Sequence, residues 1–158
     1  MVSRLRAEQY RALAEFRYRM RSFLRGSDAD ARQAGLEPQQ YQLLLAIRGL
    51  TPGEEATIQK LADRLLLRHH SAVELIDRLE KRSYVERARS QEDRRRVLVS
   101  LLPRGERALE RVARKRLQEL RATGAALVAA LSALLETKRK SISAAQRARR
   151  RKRGYQAP

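Results

Sequence analysis

Two short helical patterns stand almost end to end between residues 57 and 82, and an alternating, charge-tipped segment follows at once. No other feature of the chain restricts the possible folds as strongly. Thr57 is suited to cap the helix IQKLADRL, in which Ile58, Leu61, Ala62 and Leu65 recur at helical spacing. Only Leu66 and Leu67 separate it from a second pattern over about 68–82, RHHSAVELIDRLEKR, whose apolar stripe is Ala72, Leu75, Ile76 and Leu79. A turn this tight between two helices makes a helix-turn-helix unit. Behind it, SYVERA reads as a short strand, SQEDRRR as a turn-rich tip and VLVSLL as a second strand, with Val97, Val99 and Leu101 on one face. A β-hairpin in that place is a wing.

The flanks are helical. Residues about 4–24 carry Leu13, Phe16, Met20 and Phe23 at three- and four-residue steps, and RGSDADARQAG, 25–35, reads as a loop. Pro38 is placed for a first helical turn, and that helix carries Tyr41, Leu44, Leu45 and Ile47 up to Gly49. Pro103 and Gly105 introduce a long helix with Leu109, Val112, Leu117 and Leu120; Thr123-Gly124 is expected to interrupt it, and a last helix follows through Leu135. The expected fold class is mainly α with a small β-hairpin wing. A winged helix-turn-helix lobe at about 36–103 lies within a domain 1–140, with flanking helices at about 4–24 and 104–140. The tail, 141–158, is basic and expected to be disordered.

Charge narrows the partners. Thirty-six Lys and Arg against 18 Asp and Glu give a net charge of +18, which implies a polyanion: nucleic acid ahead of an anionic membrane surface. Nine of the cations fall between Lys138 and Arg153 with no acid among them. With no cysteine there are no disulfides and no thiolate metal sites. His69 and His70 are adjacent, so they face different ways on a helix, and zinc wants three or four ligands; neither metal nor cofactor is expected. Gly-rich phosphate loops, a Ser-His-Asp order and isolated carboxylate pairs are all missing, so the chain is not read as an enzyme. No apolar run approaches a membrane span and the first residues do not read as a secretion signal, so a cytoplasmic location is expected.

The stretch DRLEKRSYVERARSQEDRRRVLVSLLPRGERAL, 77–109, resembles the MarR family of bacterial winged-helix transcription regulators. Asp-x-Leu-Glu-Lys-Arg, then Val-Glu-Arg, then Asp-Arg-Arg ahead of an alternating strand carry the resemblance, which extends in element order over about residues 8–140. It implies a homodimer whose dimerisation region comprises the first helix and the helices after the wing. It further implies a palindromic duplex-DNA operator and transcription regulation, more often repression. In the wing, Arg95 would enter the minor groove with its guanidinium oriented by Asp93, while Arg94 and Arg96 would meet phosphates. The resemblance also implies an effector pocket, for which Tyr10, Arg17 and Tyr41 are the candidates, beside Phe16, Tyr18 and Met20; ordinary core or dimer packing is the preferred reading of each of these side chains.

On the second helix of the unit, the residues off the apolar stripe are Arg68, His69, His70, Ser71, Val73, Glu74 and Arg78, and the N-terminal ones would reach the major groove first. His70 and Ser71 can hydrogen-bond base edges, Val73 can touch a thymine methyl and Glu74 can accept from a cytosine amino group. Glu74 departs from the basic or neutral residue frequent in the family, and pairing with His70 one turn earlier is its other reading. The competing function is a non-specific nucleic-acid-binding or chromosome-compacting basic protein, which explains the charge but has no need of a wing.

Overall fold

A computed structural model gives the structure, and it describes the backbone of residues 5–91, 93 and 95–154 and side chains as far as residue 135. Arg94, and the side chains of the basic tail, lie outside these described residues. Helices α1 (Ala7–Gln33), α2 (Pro38–Arg48), α3 (Ile58–Leu65) and α4 (His69–Lys81) precede strands β1 (Val85–Arg89) and β2 (Val97–Leu101), and α5 (Pro103–Gly154) follows. The chain divides into two units, Gly26–Leu117 and the pair of segments Met1–Arg25 with Gln118–Pro158.

The first unit is the winged lobe. Its core is made by Leu36, Leu43, Leu44, Leu61, Leu75, Ile76, Leu79, Val85, Val99 and Val112, all buried. The apolar stripe expected on α4 is therefore core: Ala72, Leu75, Ile76 and Leu79 are the helix's buried residues. Strands β1 and β2 pair antiparallel, Val85 opposite Leu101 and Arg89 opposite Val97. A third segment joins them, because the Val99 N–H donates to the Ala56 carbonyl at 3.0 Å and Thr57 bridges Leu98. The wing is thus fastened to the residues that also start α3, whose first turn is capped by the Thr57 hydroxyl accepting from Lys60 N–H at 3.2 Å.

Three helices of the lobe end in the same way. In α1 the Leu36 N–H reaches back to the Ala31 carbonyl at 2.9 Å and Gly35 to Arg32 at 3.0 Å. Leu67 and Leu66 do this at the end of α3, onto Ala62 at 2.9 Å and Asp63 at 3.2 Å. Tyr84 and Ser83 do so at the end of α4, onto Leu79 at 3.0 Å and Glu80 at 2.9 Å. This is the Schellman closure, which needs a left-handed residue at the reversal. Gly35 takes it at φ 78, but Leu66 and Ser83 take it at φ 55 without glycine's freedom.

Three expectations are corrected. Residues 25–33 are not a loop: α1 runs on to Gln33, because Ser27 and Ala31 face inward and are buried while Ala29 and Arg32 take the outer side. Thr123-Gly124 does not interrupt α5, which continues through it. The Thr123 hydroxyl donates to the Glu119 carbonyl at 2.9 Å, and a glycine weakens a helix interior by about 1 kcal/mol without ending it. Helix α5 extends to Gly154, through most of the stretch expected to be a disordered tail.

The second unit is built of the outer parts of α1 and α5. Apolar side chains stay exposed on both, among them Tyr10, Leu13 and Tyr18 on α1 and Val128, Leu131 and Leu135 on α5.

Candidate nucleic-acid interface

Helix α4 begins without a side-chain cap: the Arg68 side chain, at the capping position, makes no capping bond, and the first turn has no acid. The free N–H groups of such a turn favour an anion. Arg68, His69, His70, Glu74 and Arg78 are exposed, while Ser71 and Val73 are half-buried. Glu74 and His70 do not pair among the described residues, so that reading of Glu74 is not realised in the free chain.

The other end of α4 is closely held, and this explains the motif that runs from Asp77 to Arg87. Arg87 lies on the same face of β1 as Val85, so its guanidinium is carried inward, only 22% exposed. Burying a cation there requires partners. It pairs with Asp77 at 2.6 Å and with Glu80, and it donates to the Val73 carbonyl at 3.3 Å; its backbone N–H also donates to Glu80, at 3.1 Å. Arg82 caps the junction, donating to the Gly35 carbonyl at 2.8 Å and lying 4.9 Å from the Tyr84 ring centroid. Arg104 is 4.8 Å from the same ring. Tyr84 leaves no room behind it: a Cβ on Gly105 would come within 2.1 Å of the Tyr84 carbonyl oxygen. The family-like residues Asp77, Glu80, Arg82, Arg87 and Gly105 are accordingly the frame that holds the far end of α4 against the wing.

In the wing, Asp93 organises the tip through the main chain. Its carboxylate accepts the Arg95 N–H at 3.0 Å, its carbonyl accepts the Arg96 N–H at 2.8 Å, and its second oxygen is 3.5 Å from Arg96 Nε. The carboxylate thus fixes the backbone of Arg95 and the guanidinium of Arg96, rather than the guanidinium of Arg95 as the resemblance implies. The Arg95 side chain is exposed and no described residue pairs with it. Arg96 is engaged differently from the expectation of a free phosphate ligand, since Glu55 also holds it, at 3.2 Å.

The structure brings the two predicted halves together. His69 from α4 and Arg95 and Arg96 from the wing line one open concavity of 810 Å³, with Gln59 and Lys60 of α3 and with Glu54 and Glu55 from the loop before it. Lys60, Glu54 and Glu55 were not legible as site residues. Glu54 binds Lys60 at 3.2 Å and Arg64 at 3.4 Å. The Thr51 N–H that its carboxylate accepts, followed by the Lys60 bond, lowers its pKa from 4.5 to about 2.

The effector candidates fall in different units. Tyr10 and Arg17 are exposed on the outer part of α1, and Tyr41 is buried in the lobe core. Burial pushes the Tyr41 hydroxyl up, against the opposing pull of its bond to Ser27 and of the Arg116 charge. Arg116 in turn pairs with Asp30, whose other partner is Lys115 at 3.3 Å, so the polar atoms beside Tyr41 serve one another. Among the described residues no group of three or more His, Asp or Glu is placed to hold a metal ion, and no helix is long and apolar enough to cross a membrane.

Fold and site together define a winged helix-turn-helix protein. Residues 34–96 match the MarR family. A transcriptional regulator of the helix-turn-helix type, YsmB of Bacillus subtilis, is 40% identical over 67 residues, 42% of this chain and 46% of that one; the match spans about half the relative's length. The MarR-family regulator AbsC of Streptomyces coelicolor shares the fold at a TM-score of 0.66 and 19% identity, over 94% of this chain and 99% of that one. A variant of MarR from E. coli, solved with operator DNA, superposes at a TM-score of 0.58 and 25% identity, over 74% of this chain and 85% of that one. The expectation that the chain is no enzyme accords with these regulators.

Proposed function

We propose that the chain is a transcription regulator that binds duplex DNA sequence-specifically, as a homodimer on a palindromic operator, and acts as a repressor. The observation that carries this reading is the meeting of the uncapped first turn of α4 with Arg95 of the wing, which pairs with no described residue, around one concavity. Two contacts of different kinds then become available to one lobe: a helix for the major groove and an arginine for the adjoining minor groove. The exposed apolar residues of α1 and α5 in the outer unit support dimerisation, since a two-fold partner would cover them. The basic segment from Lys138 to Arg153 adds sequence-independent attraction for phosphates. A cytoplasmic, nucleoid-associated location follows. An effector that relieves repression is compatible with the reading but adds nothing to its support.

The test is selection of bound fragments from random duplexes, followed by footprinting. Two protected half-sites about 10 bp apart, centre to centre, are expected. Arg95→Ala should weaken binding by roughly 1–3 kcal/mol and erase any A·T preference flanking the half-sites. Binding that is equal on all duplexes would instead favour the non-specific compacting protein, which the net charge of +18 also suits.

A further inference from the structure

We propose that Glu55 is a positioning residue for the DNA reader, a latch that holds the wing in the orientation that presents Arg95. This deepens the regulator reading and rests on it. Glu55 lies in the loop between α2 and α3, 35 residues before Ser90 and 41 before Arg96, yet its two carboxylate oxygens engage both legs of the wing's neck. Oε1 accepts from the Ser90 hydroxyl at 2.8 Å and Oε2 from Arg96 Nη1 at 3.2 Å. The legs are themselves tied, with the Ser90 N–H donating to the Arg96 carbonyl at 3.0 Å. Ser90 is buried although it sits at the base of a charged tip, and its hydroxyl also accepts the Asp93 N–H at 3.4 Å. The chain of bonds therefore runs from Glu55 through Ser90 to Asp93, and from Asp93 to the backbone of Arg95. One residue further on, the Ala56 carbonyl holds Val99 of β2, so the latch continues a backbone attachment already present.

The latch makes a prediction of opposite sign to simple electrostatics. A carboxylate beside a DNA-binding surface repels phosphates, so removing it should tighten binding and release Arg96 to make a phosphate contact. If Glu55 positions the wing, removing it should weaken binding instead. Ser90 and Arg96 would lose their common anchor, and Arg95 would have to be ordered at the moment of association.

The experiment uses the full chain and a duplex recovered by selection with it. Glu55→Gln and Glu55→Ala should each bind that duplex less tightly, by on the order of tenfold for the alanine variant, as groups coupled in one hydrogen-bond network do. The slope of log K against log salt should stay as in the parent, because no phosphate contact is lost, whereas the preference for A·T flanks should decline. Glu55→Gln combined with Arg96→Gln should be no weaker than the worse single variant. Hydrogen exchange on the free protein supplies a readout independent of DNA: amides of residues 95–99 should exchange faster in Glu55→Ala while those of α4 keep the parent's protection. Tighter binding by either variant, or unchanged exchange in the wing, overturns the latch. A parent chain that selects no duplex overturns the regulator reading alone, and the exchange result then still decides whether the latch exists.

Discussion

The first turn of α4 and the tip of the wing line the same concavity, with His69 from the one and Arg95 and Arg96 from the other, but they are held there by opposite means. Helix α4 is fixed by burial: Leu75, Ile76 and Leu79 lie in the core, its far end is gripped by Arg87, and the side chains of its exposed turn from Arg68 to His70 make no bonds among the described residues. The wing's strands put Val85 and Val99 into the core, but its tip is held by side-chain hydrogen bonds among Glu55, Ser90, Asp93 and Arg96. The difference teaches where each element can be altered. Apolar burial is insensitive to salt and pH, and it leaves every polar group of the exposed turn free for a ligand. A polar network consumes some of its own cations, and its strength follows the ionic conditions.

The hardest way to break the comparison is to remove the burial under α4. Leu75→Ala deletes a side chain that is almost fully buried, and losses for such deletions run from about 2 to 5 kcal/mol, so roughly 3 kcal/mol of lobe stability should go. Urea unfolding followed by circular dichroism measures it. A loss below about 1 kcal/mol would mean that α4 does not depend on its apolar stripe, and the contrast with the wing would collapse.

How far the sequence betrays these arrangements depends on the range of the interaction. The stripe on α4, the Thr57 cap and the β1–β2 pairing are local, repeating at helical or strand periods, and each was readable from residues a few positions apart. The continuation of α1 was not, because Gly26, Ser27, Asp28 and Asp30 have the composition of a loop; tertiary burial of Ser27 and Ala31 overrides that weak local preference. Of the three left-handed helix ends only Gly35 is a glycine, and its stretch reads as a loop, while Leu66 and Ser83 conceal the same geometry behind ordinary side chains. The site was half legible. Its cations followed from the wing and helix patterns, but Glu55 looked like one more solvated acid, since the residues that define its role are 35 and 41 positions away.

The two concealed ends frame α4, one before it and one after, and they offer a change of the opposite sign. Leu66 and Ser83 each hold φ 55, a conformation that costs a residue with a Cβ roughly 1–2 kcal/mol relative to its usual regions. Leu66 is 93% exposed, so its side chain returns little by burial. Leu66→Gly and Ser83→Gly should each stabilise the lobe, by about 0.5–1 kcal/mol once glycine's greater freedom in the unfolded chain is set against the relieved strain. Gly35→Ala, at φ 78, should move stability the other way by a similar amount. If Leu66→Gly stabilises and yet weakens DNA binding, the strain is being kept for function; stabilisation with unchanged binding makes it incidental.

The smallest expected effect tests the polar half of the comparison through pH. Glu54, the neighbour of the latch, holds its carboxyl at about 2, chiefly through the Thr51 N–H at 2.9 Å and then Lys60. A carboxyl whose folded pKa lies below its unfolded value stabilises the fold above the unfolded value, near 4.5, and that contribution disappears as pH falls through the folded one. Stability should therefore decline between pH 4.5 and about 2 in part because Glu54 takes up a proton. Glu54→Gln keeps an oxygen for the Thr51 N–H but cannot ionise, so its melting temperature should lie slightly below the parent's near neutrality and converge on it at the acid end. The gap is held small by solvent, because the carboxylate is open to water, and added salt should narrow it further. Curves that run parallel down to pH 2 would remove Glu54 from the acid response, and the ties of this loop to Lys60 and Arg64 would then be geometry without energetic consequence.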